Sequence, residues 1–359
     1  MTTRSTIEDV ARLANVSIAT VSRYTSGQVA LVAPATQERL KLAIDELGYV
    51  PHAAARSLKT GRTRLIGVIL ADVSHAYWSS LLGGIQAGCQ ELGFGVLIAS
   101  GNNSAANQYE YLRTYLEHGA EGILFNPAAG DARLVAEWMH VRIPVLQLDR
   151  GSPGVALPVV AVDNTLGAKI ATRHLLEHGH CRIGVISWHT ESLSNREERL
   201  DGFLATMHEA GFAVPDRDIA LVDQRAGSAS DGIATMMAQP DPPTAIFSTN
   251  MEISLEAIRF LHDAGLRVPN EVSIVGFDDP EWTSIVHPPL TAIATPSFRL
   301  GKLAAIRVCR AIRMGEPLGL HNSKLAPTLI ERRSVAAPPK RNAIARRYSI
   351  TKSQSMVAI

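Results

Sequence analysis

The chain begins with a short helical pattern of apolar residues. One face of a helix is indicated by the spacing of Ile7, Val10, Ala11 and Ala14. Thr6 and Asp9 have the spacing of a capping box, in which a hydroxyl and a carboxylate bind the amides that the first turn leaves without partners. The pattern therefore predicts a helix that begins at about Thr6.

A second short helix is predicted after a break at Asn15. Asparagine tolerates the positive φ that ends a helix, and Ser17 can cap a new helix that runs through Ile18 to Tyr24. Small side chains at Ala11 and Ala14 let two such helices cross closely. This is the geometry of a helix-turn-helix, whose second helix enters the major groove of DNA. The alternative at this point is a pair of core helices in a small α domain that binds no nucleic acid.

The outward positions of the second helix suit a DNA contact. Ser17, Thr20 and Ser22 offer hydroxyls to phosphates. Arg23 has the length and geometry to bind a guanine edge through two hydrogen bonds.

From residue 63 onward, short apolar runs alternate with amphipathic segments. The runs predict strands over 64–71, 94–100, 122–127, 144–149, 182–187, 219–223, 245–249 and 272–279. Helices are predicted between them, for example over 107–119, 165–178 and 251–265. Continuous apolar strands that alternate with helices indicate parallel sheets covered on both faces.

The grouping of these strands predicts two α/β units in sequence, about four strands before residue 150 and four after residue 180. Ligands of doubly wound sheets bind outside the carboxyl ends of the strands. With two such units, we expect a small molecule to bind in the cleft between them.

A basic segment over 49–64 joins the two regions. Pro51 stops any helix that enters from Glu46, and residues 53–58 are too few for a helix that is stable alone, so we expect it to form only on a partner. Leu58 is apolar among basic neighbours, which suits a wedge that enters the minor groove and kinks the duplex. The alternative is an ordinary linker whose leucine packs on the body.

Charge and composition favour an intracellular DNA-binding protein. Residues 1–64 carry a net charge of +4 and residues 332–359 carry +7, so the middle of a chain with net charge +1 carries −10. A basic head attracts DNA and an acidic body is repelled by it. The odd number of cysteines, at Cys89, Cys181 and Cys309, predicts buried thiols in a reducing compartment. Because no signal peptide or apolar run of about 18 residues is present, we expect a cytoplasmic protein with no membrane segment.

Several motifs together resemble the lactose repressor (LacI/GalR) family of bacterial transcription regulators. The head and hinge resemble it over 6–23, 38–48 and 53–59. The body does so in IGVILADVS, PVVAVDN, HLLEHGHCRIGVIS, PTAIFSTN, GLRVPNEVSIVGFDD and PPLTAI. The resemblance spans about residues 5–334, and several motifs in one order are far more specific than any one of them.

The resemblance implies a homodimer on double-stranded operator DNA, with one recognition helix per half-site and paired hinge helices in the minor groove. In this sequence Ile18, Ala19 and Arg23 would read bases. The residues expected at DNA are Thr6, Ser17, Ile18, Ala19, Thr20, Ser22, Arg23, Ala55, Leu58 and Lys59.

The chain departs from the family pattern at two positions. His52 stands where the family usually has Asn, and Ala33 stands where it usually has a Ser that caps the third helix. Loss of that cap weakens the third helix by about 1 kcal/mol.

The resemblance also implies a small-molecule effector in the cleft. Its family positions fall on Asp72, Ser74, His75, Trp78, Asp149, Asp163, Arg199, Asn250 and Asp278. Carboxylates and amides suit the hydroxyls of a polyol, which favours a sugar.

Two further residues favour a sugar acid such as a gluconate. Arg196 and Arg199 share a helix face and can clamp a carboxylate, and Trp282 can stack on a sugar ring. The alternative is that Arg196 pairs with Glu197 or Asp201 on the surface and that Trp282 is a core residue.

The predicted organisation is a helix-turn-helix head over 1–48, a hinge over 49–62, a body over 63–333 and a basic, disordered tail over 334–359. The first half of the body is expected over 63–162 and 291–320, and the second over 163–290 and 321–333. The tail has too few large apolar residues to pack and no leucine heptad, so a dimer is expected.

No catalytic, metal or cofactor site is predicted. His174 and His178 lie one turn apart in HLLEHGH, but no cysteine pair or following glutamate completes a zinc motif, so solvated or dipole-stabilised histidines are expected. No Ser-His-Asp set or phosphate-binding glycine turn stands at a recognisable spacing, so we expect no enzyme activity.

The prediction is a ligand-controlled transcriptional repressor of sugar or sugar-acid catabolism. One alternative is a sugar-binding transport or receptor protein, which would have a signal peptide and no basic head. Another is a general DNA-bending protein, which would lack effector control. An enzyme would turn over the bound sugar acid.

Overall fold

The computed structural model describes residues 5–50, 61–73, 76–128, 141–152, 154–190 and 194–340. The chain divides into two compact units. The first comprises Met1–Leu65 with His118–Glu121, and the second comprises the remainder.

The first unit contains the predicted helix-turn-helix. Its helices are α1 (Ile7–Leu13), α2 (Ile18–Thr25) and α3 (Pro34–Leu47), with a 3-10 turn at Val29–Leu31. At the start of α1 the Asp9 amide donates to Thr6 Oγ1 and the Thr6 amide donates to Asp9 Oδ2 over 2.9 Å, which is the predicted capping box.

The turn between α1 and α2 has the predicted chemistry. Asn15 has a φ of +50°, and the Thr20 amide donates to Ser17 Oγ at the start of α2. The helices enclose a small core whose buried members are Val10, Ala11, Ala14, Val21, Val32, Leu40, Ala43 and Tyr49.

Helix α3 begins without a side-chain cap, as expected from Ala33. Pro34 occupies its first position, where its missing amide hydrogen costs no hydrogen bond. The Gln37 side-chain amide donates to the Val29 and Val32 carbonyls at 3.0 and 2.7 Å, so it ties α3 to the preceding turn.

The second unit is built on two six-stranded sheets in the described residues. The first sheet has the order β11-β5-β4-β3-β1-β2. Its strands are β1 (Leu65–Leu70), β2 (Gly95–Ser100), β3 (Gly122–Phe125), β4 (Val145–Leu148), β5 (Val159–Val162) and β11 (Ser323–Leu325). The pairings from β1 through β3, β4 and β5 to β11 are parallel.

The second sheet has the order β12-β10-β9-β8-β6-β7. Its strands are β6 (Ile183–Trp188), β7 (Ile219–Val222), β8 (Ala245–Ser248), β9 (Ser273–Phe277), β10 (Thr291–Ala294) and β12 (Thr328–Ile330). All its pairings are parallel except that of β10 with β12.

Helices accompany both sheets. Those of the first half are α4 (Ala76–Glu91), α5 (Ala105–Glu117) and α11 (Ser297–Met314). Those of the second half are α6 (Asn164–Glu177), α7 (Ser194–Glu209), α8 (Ser228–Met237), α9 (Met251–Asp263) and α10 (Trp282–Ile285), with a 3-10 turn at Asp216–Asp218.

The eight predicted strands all form, and the helices predicted over 107–119, 165–178 and 251–265 correspond to α5, α6 and α9. Sequence patterns missed β5, β10, β11 and β12. Strands β11 and β12 have only three residues each, and β5 and β10 follow the preceding strand without a long helix in the described residues between them, so the alternation of strands and helices does not reveal them.

The predicted boundaries between the two halves of the body are wrong at two crossings. Because β10 pairs with β9, the chain stays in the second half through Ala294 instead of leaving it before residue 291. Because β11 pairs with β5, the first half extends to Leu325 instead of residue 320.

The predicted start of the disordered tail is also wrong. Ser334 is 1% exposed, its hydroxyl donates to the Ile274 carbonyl and it accepts from the Thr291 amide at 2.8 Å. The Ala336 carbonyl accepts hydrogen bonds from His180 and Ser273. Hydrogen bonds to residues of β9 and β10 hold this segment, together with Val335, which packs against the core of the second half. Residues 341–359 lie outside the described part.

Cysteine burial follows the prediction at two of three positions. Cys89 and Cys309 are buried in the core of the first half, but Cys181 is exposed because it precedes β6 in the turn after α6. Within the described ranges no helix is both long and apolar enough to cross a membrane.

Candidate DNA-binding surface and effector cleft

Helix α2 presents the predicted DNA-contacting residues on its outer side. Ser17, Ile18 and Ala19 are exposed, Thr20 and Ser22 are half-buried, and Arg23 is exposed. Thr6 is exposed at the start of α1, where it serves as the cap. Ala55, Leu58 and Lys59, predicted for the minor groove, lie outside the described residues.

The two hydroxyls at the start of α2 are already organised. Ser17 Oγ and Thr20 Oγ1 lie 2.9 Å apart, and Ser17 also accepts from the Thr20 amide. This places two hydroxyls and the positive end of the helix dipole together, which suits a phosphate oxygen.

A cleft lies between the two sheets of the second unit, at the carboxyl ends of their strands. The first half contributes Ala71, Asp72, Tyr77, Trp78, Asn103, Asn126, Asp149 and Arg150. The second half contributes Ser187, Trp188, Asn195, Arg196, Arg199, Gln224, Thr249, Asn250, Met251 and Asp278.

Seven predicted effector residues line this cleft. They are Asp72, Trp78, Asp149, Arg196, Arg199, Asn250 and Asp278. The predicted residues Ser74 and His75 lie outside the described part of the chain.

Two predicted effector residues do not line the cleft. Asp163 accepts a hydrogen bond from the Leu166 amide at 3.0 Å and caps α6. Trp282 packs against the core of the second sheet. The indole on the second half of the cleft is Trp188, at the end of β6.

Arg199 is fixed at the base of the second half. Its Nε donates to Asn164 Oδ1 at 2.9 Å, and its Nη1 donates to the Thr249 carbonyl at 2.7 Å and lies 3.9 Å from Asp278 Oδ2. Its guanidinium carbon lies 3.8 Å from the centre of the Phe277 ring. Buried in this way, Arg199 is a preorganised cation.

Arg196 lies one turn earlier on α7, nearer the surface. It donates to the His189 carbonyl and to Gln224 Oε1, both over 2.7 Å, and its guanidinium lies 5.0 Å from the Trp188 ring centre. These contacts differ from the pairing with Glu197 or Asp201 that was the alternative at the sequence level. They hold Arg196 at the cleft.

On the first half, Asp149 is the centre of a polar network. It is 4% exposed and accepts from Tyr77 Oη at 2.5 Å and from Asn195 Nδ2 at 3.1 Å. Burial and the adjacent carboxylate raise the pKa of Tyr77 well above its usual value. Tyr77 therefore stays protonated, and its hydroxyl donates the hydrogen bond to Asp149. Asn195 comes from α7, so this network joins the two halves of the second unit.

Arg150 is also buried beside the cleft, and its Nε donates to the Pro127 carbonyl at 2.7 Å. Burial lowers the pKa of Arg150, while the neighbouring Asp149 carboxylate opposes that shift. The cleft is thus lined by three carboxylates, on Asp72, Asp149 and Asp278, and three guanidinium groups, on Arg150, Arg196 and Arg199.

In the described part of the cleft, three buried polar atoms lack a hydrogen-bond partner. They are Asn126 Oδ1, Ser187 Oγ and Asn195 Oδ1. Buried polar atoms in folded proteins are nearly always paired, so such atoms in a cleft point to ligand or water. The two amide oxygens accept hydrogen bonds, which hydroxyl groups can supply.

Several of these residues were missed at the sequence level, among them Asn103, Asn126, Ser187, Trp188 and Gln224. Each of them stands at or just after the end of a predicted strand. The rule that ligands bind at the carboxyl ends of parallel strands was therefore a usable signal for them.

Two of the histidines of HLLEHGH, which were expected to be solvated or dipole-stabilised, are buried. His174 and His180 are 6% and 1% exposed, and only His178 is half-buried. His180 contacts Thr244 Oγ1 and the Ala336 carbonyl, each at 2.8 Å. Burial lowers the pKa of both His174 and His180, so the neutral imidazoles pack in the second half.

A helix-turn-helix head and a two-sheet ligand cleft in one chain define a class of protein, the transcriptional regulator under small-molecule control. Residues 6–52 match the family model for bacterial regulatory proteins of the lacI family. Residues 63–335 match that for periplasmic binding proteins and the sugar binding domain of the LacI family. The chain belongs to the LacI family of bacterial transcriptional regulators.

Named relatives agree with this assignment. The chain is 33% identical over 301 residues to the transcriptional repressor PurR of Aliivibrio salmonicida (strain LFI1238), covering 84% of this chain and 90% of the relative. It is 29% identical to the transcriptional regulator KdgR of Bacillus subtilis (strain 168), covering 93% and 98%. These relatives are transcriptional regulators.

A solved structure shares the fold over nearly the whole chain. The Lac repressor dimer bound to operator and the anti-inducer ONPF matches with a TM-score of 0.81 at 26% identity, covering 93% of this chain and 99% of that chain. The predicted family and fold class are confirmed, as is the function of a DNA-binding regulator that responds to a small-molecule effector.

Proposed function

We propose that this protein is a homodimeric repressor of sugar-acid catabolism genes, released from a pseudo-palindromic operator when a sugar acid binds in the cleft. Similarity to the repressor PurR supports the assignment as a repressor. Similarity to a Lac repressor dimer bound to operator supports the assignment as a dimer. The exposed face of α2 supports direct DNA reading.

The assignment of a sugar acid as the ligand rests on two arginines that lie in the same cleft as amide oxygens able to accept hydrogen bonds from hydroxyls. Arg196 and Arg199 both line the cleft from α7. Arg199 has five N–H groups, two of which donate to Asn164 Oδ1 and to the Thr249 carbonyl. A ligand carboxylate at this side would gain charge-assisted hydrogen bonds. Asn126 Oδ1 and Asn195 Oδ1 would accept from the hydroxyls of the same ligand.

The remaining cleft residues suit a sugar backbone. Asp149 and Asp278 offer carboxylate oxygens to paired hydroxyls, and Trp188 and Trp78 supply aromatic walls. Sugars expose both hydroxyl groups and apolar ring faces. A cleft that has carboxylates and aromatic side chains complements both. Ligand closure of the two halves would lower operator affinity through differential binding to the closed form.

The test is thermal unfolding of the purified protein with aldonates and uronates, the corresponding neutral sugars, and nucleobases. A ligand that binds the folded state raises the unfolding midpoint by mass action. We expect a rise with sugar acids and none with neutral sugars. Arg196→Gln should weaken sugar-acid binding about tenfold or more, since a hydrogen bond to a charged group contributes about 1.5–3 kcal/mol.

Arg217→Gln is the matched control, because Arg217 is an exposed arginine away from the cleft. It should leave ligand binding unchanged. Stabilisation by neutral sugars or nucleobases that is equal in the wild type and in Arg196→Gln would refute the carboxylate assignment.

A further inference from the structure

A second cluster of polar side chains lies outside the cleft, where α6 meets the end of β12. It consists of His174, His178 and Glu331, and one ligand atom of each residue lies within 4.8 Å of the other two. Helix α6 contacts β12, and antiparallel pairing of β12 with β10 fixes where Glu331 emerges from the sheet.

His174 is the buried member of this cluster. Its side chain is 6% exposed, and its Nε2 has no hydrogen-bond partner among the residues that the structure describes. A buried ring nitrogen without a partner is uncommon and points to a missing ligand.

A hydrogen bond to the backbone fixes the orientation of the His178 ring. Its Nδ1 lies 2.8 Å from the His174 carbonyl, to which it donates, so its Nε2 carries the lone pair. Metal-binding histidines commonly donate their other ring nitrogen to a carbonyl in this way. The two rings lie 4.4 Å apart, one helical turn from each other.

We propose that His174, His178 and Glu331 form a binding site for a divalent transition-metal ion, with Zn2+ as the preferred ion. Two imidazoles and one carboxylate are a donor set that Zn2+ accepts, with water at the remaining position. The bound ion would join α6 to the segment after β12 and so stabilise the second half of the body. The prediction that HLLEHGH binds no metal overlooked Glu331, since a ligand so distant in sequence leaves no local motif.

The experiment uses tag-free, chelator-treated protein and follows binding of Zn2+ by calorimetry. Bound Co2+ provides a second readout through its visible absorption. We expect one ion per chain and a higher thermal unfolding midpoint with Zn2+.

His178→Gln and Glu331→Gln are the informative variants, because neither residue is buried and both should fold. Each should weaken Zn2+ affinity about tenfold or more. His262→Gln is the control, because His262 is exposed beside Asp263 and lies outside the cluster. Zinc binding that is absent, or that is equal in the wild type and in both cluster variants, would refute the site.

Discussion

Arg23 is the one charged side chain of α2, and its exposed neighbours Ile18 and Ala19 are apolar. Apolar side chains can contact a thymine methyl but form no hydrogen bonds to base edges. If α2 reads bases, the hydrogen-bonded part of sequence recognition on this helix rests on Arg23.

Replacement of Arg23 by Ala should therefore weaken binding to the preferred DNA sequence by about 1–3 kcal/mol and relax selection at one base pair. Fluorescence anisotropy on DNA enriched from a random pool measures this loss. Arg113→Ala, an exposed arginine on α5, is the control and should bind as the wild type does. Equal affinity of Arg23→Ala and wild type would show that Arg23 does not read DNA.

Seven of the nine described effector positions predicted from the sequence line the cleft, but one predicted indole does not. Trp78 lines the cleft, whereas the second indole there is Trp188, and Trp282 is half-buried against the core of the second half. The position of a residue in the sequence shows which strand it follows. It does not fix the direction in which a short helix such as α10 turns its side chains, because tertiary packing decides that.

At the level of elements, α4 and α11 form the tightest helix contact in the first half of the body. Their backbones approach where both helices carry small residues. A Cβ added at Gly84 would overlap the Phe298 carbonyl oxygen, and one added at Gly301 would overlap the Leu81 carbonyl oxygen. Backbone atoms cannot yield as a flexible side chain can, so both positions require glycine.

Gly84→Ala should lower the free energy of unfolding by about 1–3 kcal/mol or more, because an added methyl group in a packed contact forces backbone shifts. Gly83→Ala is a matched control. Its added Cβ would lie 3.8 Å from the Phe298 ring, an ordinary contact, and alanine favours a helix by about 0.5–1 kcal/mol over glycine. Urea unfolding of both variants tests this prediction, which fails if Gly84→Ala is as stable as Gly83→Ala.

Strands with a continuous apolar run were predictable, and strands that depend on pairing with a distant segment were not. The strands of the central sheets carry apolar runs that local patterns reveal, such as β1 and β9, which are almost wholly buried. Strand β11 has three residues, including an exposed lysine, and exists because it pairs with β5, a distant part of the chain. No local pattern encodes that pairing.

In the whole molecule, the segment that begins at Ser334 is bound to β9 and β10 of the second sheet. The Ile274 amide donates to the Ser334 carbonyl at 3.0 Å, and the Ala336 amide donates to Ser273 Oγ at 3.1 Å. This packing depends on hydrogen bonds between distant residues, so composition alone could not predict it.

A chain that ends at Lys340 keeps the hydrogen bonds of Ser334 and Ala336 and serves as the reference for a shorter chain. A chain that ends at Arg333 should lose about 2–4 kcal/mol, since it leaves buried groups such as the Thr291 amide without partners, at about 1–3 kcal/mol each. Thermal unfolding distinguishes the two truncations. Equal stability of both would show that residues 334–340 add nothing to the sheet.

A repressor under effector control must transmit ligand binding in the cleft to its DNA-binding head. This is measured by the Kd for the enriched DNA sequence, determined with and without a saturating sugar acid that stabilises the protein. We expect the ligand to weaken DNA binding about 5–150-fold, the usual range of allosteric coupling. Arg196→Gln should keep the ligand-free Kd and lose the response at the same ligand concentration. A DNA affinity that is unchanged by saturating ligand would show that the sugar acid does not control this protein.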